Sequence, residues 1–310
     1  MSLQKTDSKQ YIESMQLPNK VKIIEVGPRD GLQNQAKILS VASKISLIKQ
    51  LSTCGIRNIE IGSLVSPQLI PQMKDSADVY LGINKQPDVR YLMLIANKKG
   101  LDIACKLGVK RISVFCAASD AFSEHNIHCD IEQSLIKLES ICKDALNADL
   151  SIRAYISCVL GCPFQGKVEI NQVIRIAEKL YQFGCDEIAL SDTIGIGTAG
   201  QVKALLDKIS QSIPIEHIAV HFHDSYGQAM ANILIALQRG VSIIDSSIGG
   251  LGGCPFAPGA SGNVATEDLI YLLNGLGIET GINLEQLIST SHFISKMLDQ
   301  PPASALARAA

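Results

Sequence analysis

A closed (β/α)8 TIM barrel with a C-terminal helical appendage is the fold that three features of this 310-residue chain predict. Short runs rich in β-branched residues alternate with longer segments of helical periodicity. Eight such strand candidates occur, several of them continuously apolar, as in a parallel sheet buried on both faces. No Pro/Gly/Ser-rich linker divides the chain in its middle, and eight repeats at this length favour one closed barrel over an open doubly wound sheet.

In chain order, the strand candidates are Val21–Val26, Asn58–Ile61, Tyr91–Ile95, Arg111–Cys116, Ile152–Cys158, Glu187–Leu190, His217–Phe222 and Val241–Ser246. Helical periodicity predicts helices at Val41–Ser52, Lys98–Lys106, Ile131–Ala145, Asn171–Phe183, Gly200–Gln211, Gly227–Gln238 and Ala265–Asn274, with a less regular segment at 64–76. A further helix, Leu284–Leu298, precedes the end PPASALARAA, read as an appendage or a frayed end. This divides the chain into a polar N-terminal extension (1–19), a catalytic barrel (20–283) and a C-terminal helical appendage (284–310).

Composition removes several classes of function. With 46% hydrophobic and 19% charged residues the chain is not intrinsically disordered. Nor does it contain the run of about 18 apolar residues that a membrane-spanning helix needs. Lys and Arg number 28 against 30 Asp and Glu, a net charge of −2 with no polybasic run, so neither nucleic acid nor an anionic membrane is an expected partner. Nine cysteines, an odd number without a CxxC pair, read as reduced thiols of a cytoplasmic protein. The N-terminal stretch lacks an apolar core, carries acids and has no Arg before Arg29, unlike a secretory signal or a mitochondrial transit peptide.

In such a barrel, chemistry belongs where strands end and βα loops begin. Unusual polar residues cluster at those positions. Strand one runs into Gly27-Pro28-Arg29-Asp30-Gly31-Leu32-Gln33, and strand two reaches Glu60 and Ser63. Strand five alternates Arg153, Tyr155 and Ser157 with apolar residues, strand six ends in Ser191-Asp192-Thr193, and strand seven ends in His221-Phe222-His223. Residues two apart on a strand share a face, so both imidazoles can reach one point. An HxH pair alone fits equally well two histidines hydrogen-bonded at a strand end. Asp30, together with the carbonyl of Asn263 after strand eight, would complete a mixed N/O set that suits Mg²⁺ or Mn²⁺ better than structural Zn²⁺. The loop from Gly249 to Asn263 holds six glycines in fifteen residues and one thiol, Cys254, but no GK[ST]; it reads as a flexible surface loop or as a mobile lid carrying an acid/base group.

These residues resemble those of the DRE-TIM metallolyases, and more closely the 3-hydroxy-3-methylglutaryl-CoA lyase family. The resemblance rests on Gly27–Asn34, Ser63-Leu64-Val65-Ser66-Pro67, Gly161-Cys162-Pro163-Phe164, Ser191–Gly195 and the stretch Gly252–Asn263, over roughly residues 20 to 298. It implies a carbon–carbon lyase that cleaves 3-hydroxy-3-methylglutaryl-CoA to acetyl-CoA and acetoacetate, in leucine degradation and ketone-body formation, with a divalent cation, an acyl-CoA substrate and a homodimer. Carried over by position, Asp30, His221, His223 and Asn263 are the implied metal ligands. The implied catalytic set is Arg29, Asp30, His221 and Cys254, with Arg29 neutralising an enolate and Cys254 transferring a proton. Gln33, Glu60, Ser63, Arg153, Tyr155, Asp192 and Thr193 are implied to line the substrate pocket or support the metal and Arg29. Against the animal enzymes, the chain shows no transit peptide and no cysteine near its C-terminus. Two other enzyme readings stay open, a lyase for a longer branched 3-hydroxyglutaryl-CoA and a Claisen- or aldol-type condensing enzyme. Outside catalysis stands a metal-binding sensor built on an inactive barrel.

Overall fold

The computed structural model describes residues 16–253 and 262–310. Eight parallel strands close into a barrel in sequence order: β1 (Lys22–Glu25), β2 (Asn58–Ser63), β3 (Arg90–Leu94), β4 (Arg111–Ala117), β5 (Ser151–Ser157), β6 (Glu187–Asp192), β7 (Ile218–Phe222) and β8 (Ile243–Ser246). β8 returns to β1 in the register Lys22–Ile243 through Glu25–Ser246. The helices around it are α1 (Val41–Thr53), α2 (Ser76–Gly82), α3 (Lys98–Leu107), α4 (Asp120–Ile127), α5 (Ile131–Asn147), α6 (Ile170–Gln182), α7 (Ala199–Ile209), α8 (Ala229–Gln238) and α9 (Thr266–Gly275). The tail adds α10 (Leu284–Leu298) and α11 (Ala305–Ala309). Among the described residues, no helix is long and apolar enough to cross a membrane.

Alternation along each strand sorts the core into two compartments. On β7, Ile218, Val220 and Phe222 join the large cluster between strands and helices, whereas Ala219 belongs to a separate inner cluster with Ile24, Val26, Leu94, Tyr155, Ala189 and Ile243. His221 therefore shares the barrel's inner face with Ala219. On β5 the same rule turns Ile152, Ala154 and Ile156 outward and leaves Arg153, Tyr155 and Ser157 on the inner face, as the sequence predicts.

Element boundaries differ from expectation where local signals are weak. The irregular 64–76 segment ends in α2, a seven-residue helix containing Val79 and Gly82 that is too short to show periodicity. α4 carries no apolar stripe; it starts because Ser119 Oγ accepts the Phe122 amide at 3.2 Å. His217 closes a short 3₁₀ turn ahead of β7, and β2 continues through a register shift between Glu60 and Gly62 to Ser63. The C-terminal end is docked rather than frayed. Asp268 accepts bonds from Ser304 Oγ and from the Ala305 and Leu306 amides, and the Ala303 amide donates to Gly249 O at 2.8 Å.

Candidate active site

β1 delivers its polar residues through a wide turn, Gly27–Gly31, in which the Gly31 amide donates to Val26 O five residues back. Gly27 has to be glycine, because a Cβ there would lie 2.6 Å from Glu25 Oε1 and 2.8 Å from Ile248. The turn sets Arg29, which is 6% exposed, across the barrel mouth. Its Nε donates to Glu60 Oε2 at 2.5 Å and its Nη1 to Asp30 Oδ1 at 2.6 Å, and its guanidinium carbon stands 5.5 Å from the Tyr155 ring centre. Glu60, fully buried, also accepts bonds from Ser113 Oγ and from Tyr155 Oη, the latter at 3.3 Å. Burial alone would lower the Arg29 pKa; the carboxylates of Glu60 and Asp30 outweigh it and raise it, so the side chain stays cationic.

Asp30 is the meeting point. Oδ1 accepts from Gln33 Nε2 at 3.0 Å as well as from Arg29, and Oδ2 lies 3.9 Å from His221 Nε2 and 3.8 Å from His223 Nε2. Burial pushes the Asp30 carboxyl up, but Arg29, then His223 and His221 facing the carboxylate, hold it well below the usual range. One potential ligand atom from each of Asp30, His221 and His223 falls within 4.8 Å of the others, which fits a single divalent ion with oxygen and imidazole donors. Asn263 reaches the same carboxylate, pinned by a short bridge between His223 and Asn263, but through its amide nitrogen: Nδ2 donates to Asp30 Oδ2 at 2.7 Å and to Leu251 O at 3.2 Å. Ligation by its carbonyl oxygen would need the amide turned over.

A cavity of about 300 Å³ opens above this cluster. Arg29, Asp30, Gln33, Tyr155, Thr193, His221 and His223 line it, as expected for a pocket at the C-terminal face. Asn34, at the end of the strand-one motif, lines it too, as do Phe115, Phe122 and Asn126, which the sequence did not single out. Glu60, Ser63, Arg153, Asp192 and Asn263 do not form its wall. Glu60 and Arg153 lie in the layer beneath, and Asp192 is turned to its own loop, where Oδ2 accepts the Gly197 amide at 2.8 Å. Burial raises the Asp192 pKa, partly offset by the Gly197 amide. Thr193 Oγ1 accepts the Cys158 amide at 2.9 Å. Cys254 lies outside the described residues. The stems of its loop meet closely: a Cβ on Gly262 would stand 2.5 Å from the Gly252 backbone, and one on Gly252 2.9 Å from Asn263 Nδ2.

The chain is similar to known proteins over most of its length. A family model described as HMGL-like matches residues 20–294. The mitochondrial hydroxymethylglutaryl-CoA lyase of Macaca fascicularis is 51% identical over 293 residues, covering 94% of this chain and 90% of that protein. A Pseudomonas aeruginosa protein named 3-hydroxy-3-isohexenylglutaryl-CoA/hydroxy-methylglutaryl-CoA lyase is 48% identical over 95% of this chain and 98% of its own. The structure of an HMG-CoA lyase from Acinetobacter baumannii in complex with coenzyme A and 3-methylmalate superposes with a TM-score of 0.90 at 36% identity, covering 94% of this chain and 95% of that one.

Proposed function

The chain belongs to the HMGL-like family, and from that premise we propose that it cleaves 3-hydroxy-3-methylglutaryl-CoA to acetyl-CoA and acetoacetate. The observation that carries the reading is the convergence of Asp30, His221 and His223 directly beside the buried, carboxylate-held guanidinium of Arg29. Asp30, His221, His223 and Asn263 would hold a divalent cation, Mg²⁺ or Mn²⁺, which when bound polarises the substrate hydroxyl and helps to orient the substrate.

The bond to be broken joins the tertiary carbinol carbon to the carbon beside the thioester. Loss of the hydroxyl proton lets that carbon collapse to a ketone and expels a thioester enolate. Asp30 is the carboxylate placed to accept this proton, with a basicity lowered by Arg29 and the two histidines. Arg29 donates to the enolate oxygen as charge develops there, and Glu60 and Tyr155 keep the guanidinium from rotating away. Cys254, in the glycine-rich loop, then protonates the enolate carbon. Gln33 orients Asp30, and Thr193 and Tyr155 bound the acyl pocket.

Coenzyme A in the Acinetobacter relative supports an acyl-CoA substrate for this chain. The name of the Pseudomonas relative supports testing a longer branched substrate beside the methyl one. A condensing reaction is not favoured, since relatives at about half identity are named lyases. We further place the enzyme in the cytoplasm, on the bacterial relative and the eight described cysteines, all free. A homodimer is part of the same proposal and is checked by sedimentation velocity.

The deciding experiment is turnover of protein stripped of metal and then resupplied. Acetyl-CoA and acetoacetate in equal amounts, dependent on Mg²⁺ or Mn²⁺, would establish the lyase. No cleavage of either the methyl substrate or the longer analogue would end the proposal.

A further inference from the structure

His221 has two ring nitrogens with different surroundings. Nε2 faces the point shared with Asp30 and His223, while Nδ1 lies 3.1 Å from Oδ2 of Asp245, a residue outside the pocket wall. The two side chains are register partners, His221 on β7 opposite Asp245 on β8, and both point into the barrel. Asp245 is 1% exposed. A carboxylate so deep requires a cation, and Arg153, itself without exposure, reaches across from β5 to donate Nη2 to Asp245 Oδ1 at 2.5 Å. The intervening inward residues on β6 and β7 are Ala189 and Ala219, small enough to leave room for the arginine. Arg153 is anchored at its other side by Glu187 at 3.3 Å, and its guanidinium carbon lies 5.0 Å from the Tyr155 ring centre.

We propose that Asp245, held by Arg153, is a positioning residue that locks His221 as the Nδ1–H tautomer and so keeps the Nε2 lone pair directed at the Asp30–His223 point. An ionised carboxylate only accepts hydrogen bonds, and with Oδ1 taken by Arg153, Oδ2 faces the imidazole. A proton on Nε2 would instead set the bare Nδ1 against this carboxylate, two acceptors in contact without solvent. The arrangement thus selects the tautomer that can ligate, and it assigns Arg153 a role beneath the pocket rather than in its wall. Outer partners of this kind alter metal affinity by about 10–100-fold. The inference rests on the reading of His221 as a metal ligand.

The first test leaves Asp245 and Arg153 in place. In metal-free protein labelled with ¹⁵N-histidine, at an alkaline pH where the ring ¹⁵N shifts show a single ring proton, ring ¹⁵N–¹H spectra report the tautomer of each of the six histidines. The His221 signals are those missing from His221→Gln. Protonated Nδ1 and bare Nε2 are expected; the reverse pattern would overturn the proposal. The second test is Asp245→Asn. Arg153 still demands an acceptor, so the new amide oxygen stays on Arg153 and the NH₂ faces His221. His221 should switch to the Nε2–H form and the Mn²⁺ dissociation constant should rise about 10–100-fold. An unchanged tautomer with metal affinity within about twofold would overturn the proposal. Should this variant fail to fold, the wild-type spectrum still decides. Metal binding by His221→Gln separates the premise from the inference: undiminished affinity there would remove the ligand reading itself, whatever the tautomer.

Discussion

Replacing Glu25 by Gln should leave the protein as stable as the parent in acid and make it more stable in alkali. Glu25 ends β1 with no solvent exposure, and its Oε1 accepts the amides of both Gly27 and Ile248 at 2.8 Å. It thereby ties the turn bearing Arg29 and Asp30 to the root of the glycine-rich loop. Oε2 lies 2.7 Å from Thr266 Oγ1, which is 2.9 Å from Ser246 Oγ. Burial outweighs these donors and pushes the carboxyl from 4.5 up to about 8. The protonated acid keeps both amide bonds on Oε1 and donates through Oε2 to Thr266, which then donates to Ser246. Glutamine reproduces that pattern with its carbonyl oxygen and NH₂.

Because the folded-state pKa is the raised one, the stabilisation from this group is complete below about 4.5 and is lost as pH climbs through about 8. That interval, at about 1.4 kcal/mol per pH unit, sets a ceiling of about 5 kcal/mol on the difference between variant and parent above pH 8. At about 2 °C per kcal/mol for a chain of this size, the variant's Tm should exceed the parent's by up to about 10 °C in alkali and match it in acid. Glu267, which burial pushes up to about 7, lends a similar slope to both proteins, and its charge is the smallest of the causes named for the Glu25 shift, so the difference between them reports chiefly Glu25. Thermal or urea unfolding from about pH 5 to 9 measures it. A variant less stable by the same amount at every pH would mean that Glu25 is folded as an anion, and the desolvation argument would be refuted.

Arg29→Gln should lower kcat about 10²–10³-fold with a much smaller change in KM, because the guanidinium acts on charge that develops only in the transition state. It should also cost about 3 kcal/mol of stability by leaving Glu60 buried without its cation, so activity is to be compared at a temperature where circular dichroism shows both proteins folded. His221→Ala should weaken Mn²⁺ binding at least about tenfold in a calorimetric titration; an unchanged isotherm would remove it from the ligand set. Gly252→Ala, placed at φ +147° with its Cβ 2.9 Å from Asn263 Nδ2, should displace the amide that contacts Asp30 and lower turnover while leaving far-ultraviolet circular dichroism unchanged.

Much of the barrel is legible in the chain because each strand is a compact β-branched run and each long helix repeats its apolar positions. α2 and α4 are not, being seven and eight residues long and dependent on tertiary contacts or a single cap. The core of the site is legible for a similar reason: Arg29-Asp30 and His221-x-His223 are local in sequence, and strand periodicity alone puts both imidazoles on one face. Residues that act across the barrel leave no such trace. Asp245 looks like one acid within a strand, IIDS, and only closure of β7 onto β8 brings it to His221. Glu25 is hidden in KIIE in the same way, its partners Ile248 and Thr266 lying more than two hundred residues on. Arg153 is recognisable as inward-facing, but how deep it sits follows from the register of β5 against β6.

The most direct test of the account is the anomalous scattering of Mn²⁺ in crystals of the protein soaked with that ion. The account predicts one strong peak about 2.0–2.2 Å from Asp30 Oδ2, His221 Nε2 and His223 Nε2. Saturating Mn²⁺ that supports turnover while leaving no peak at that point would contradict it.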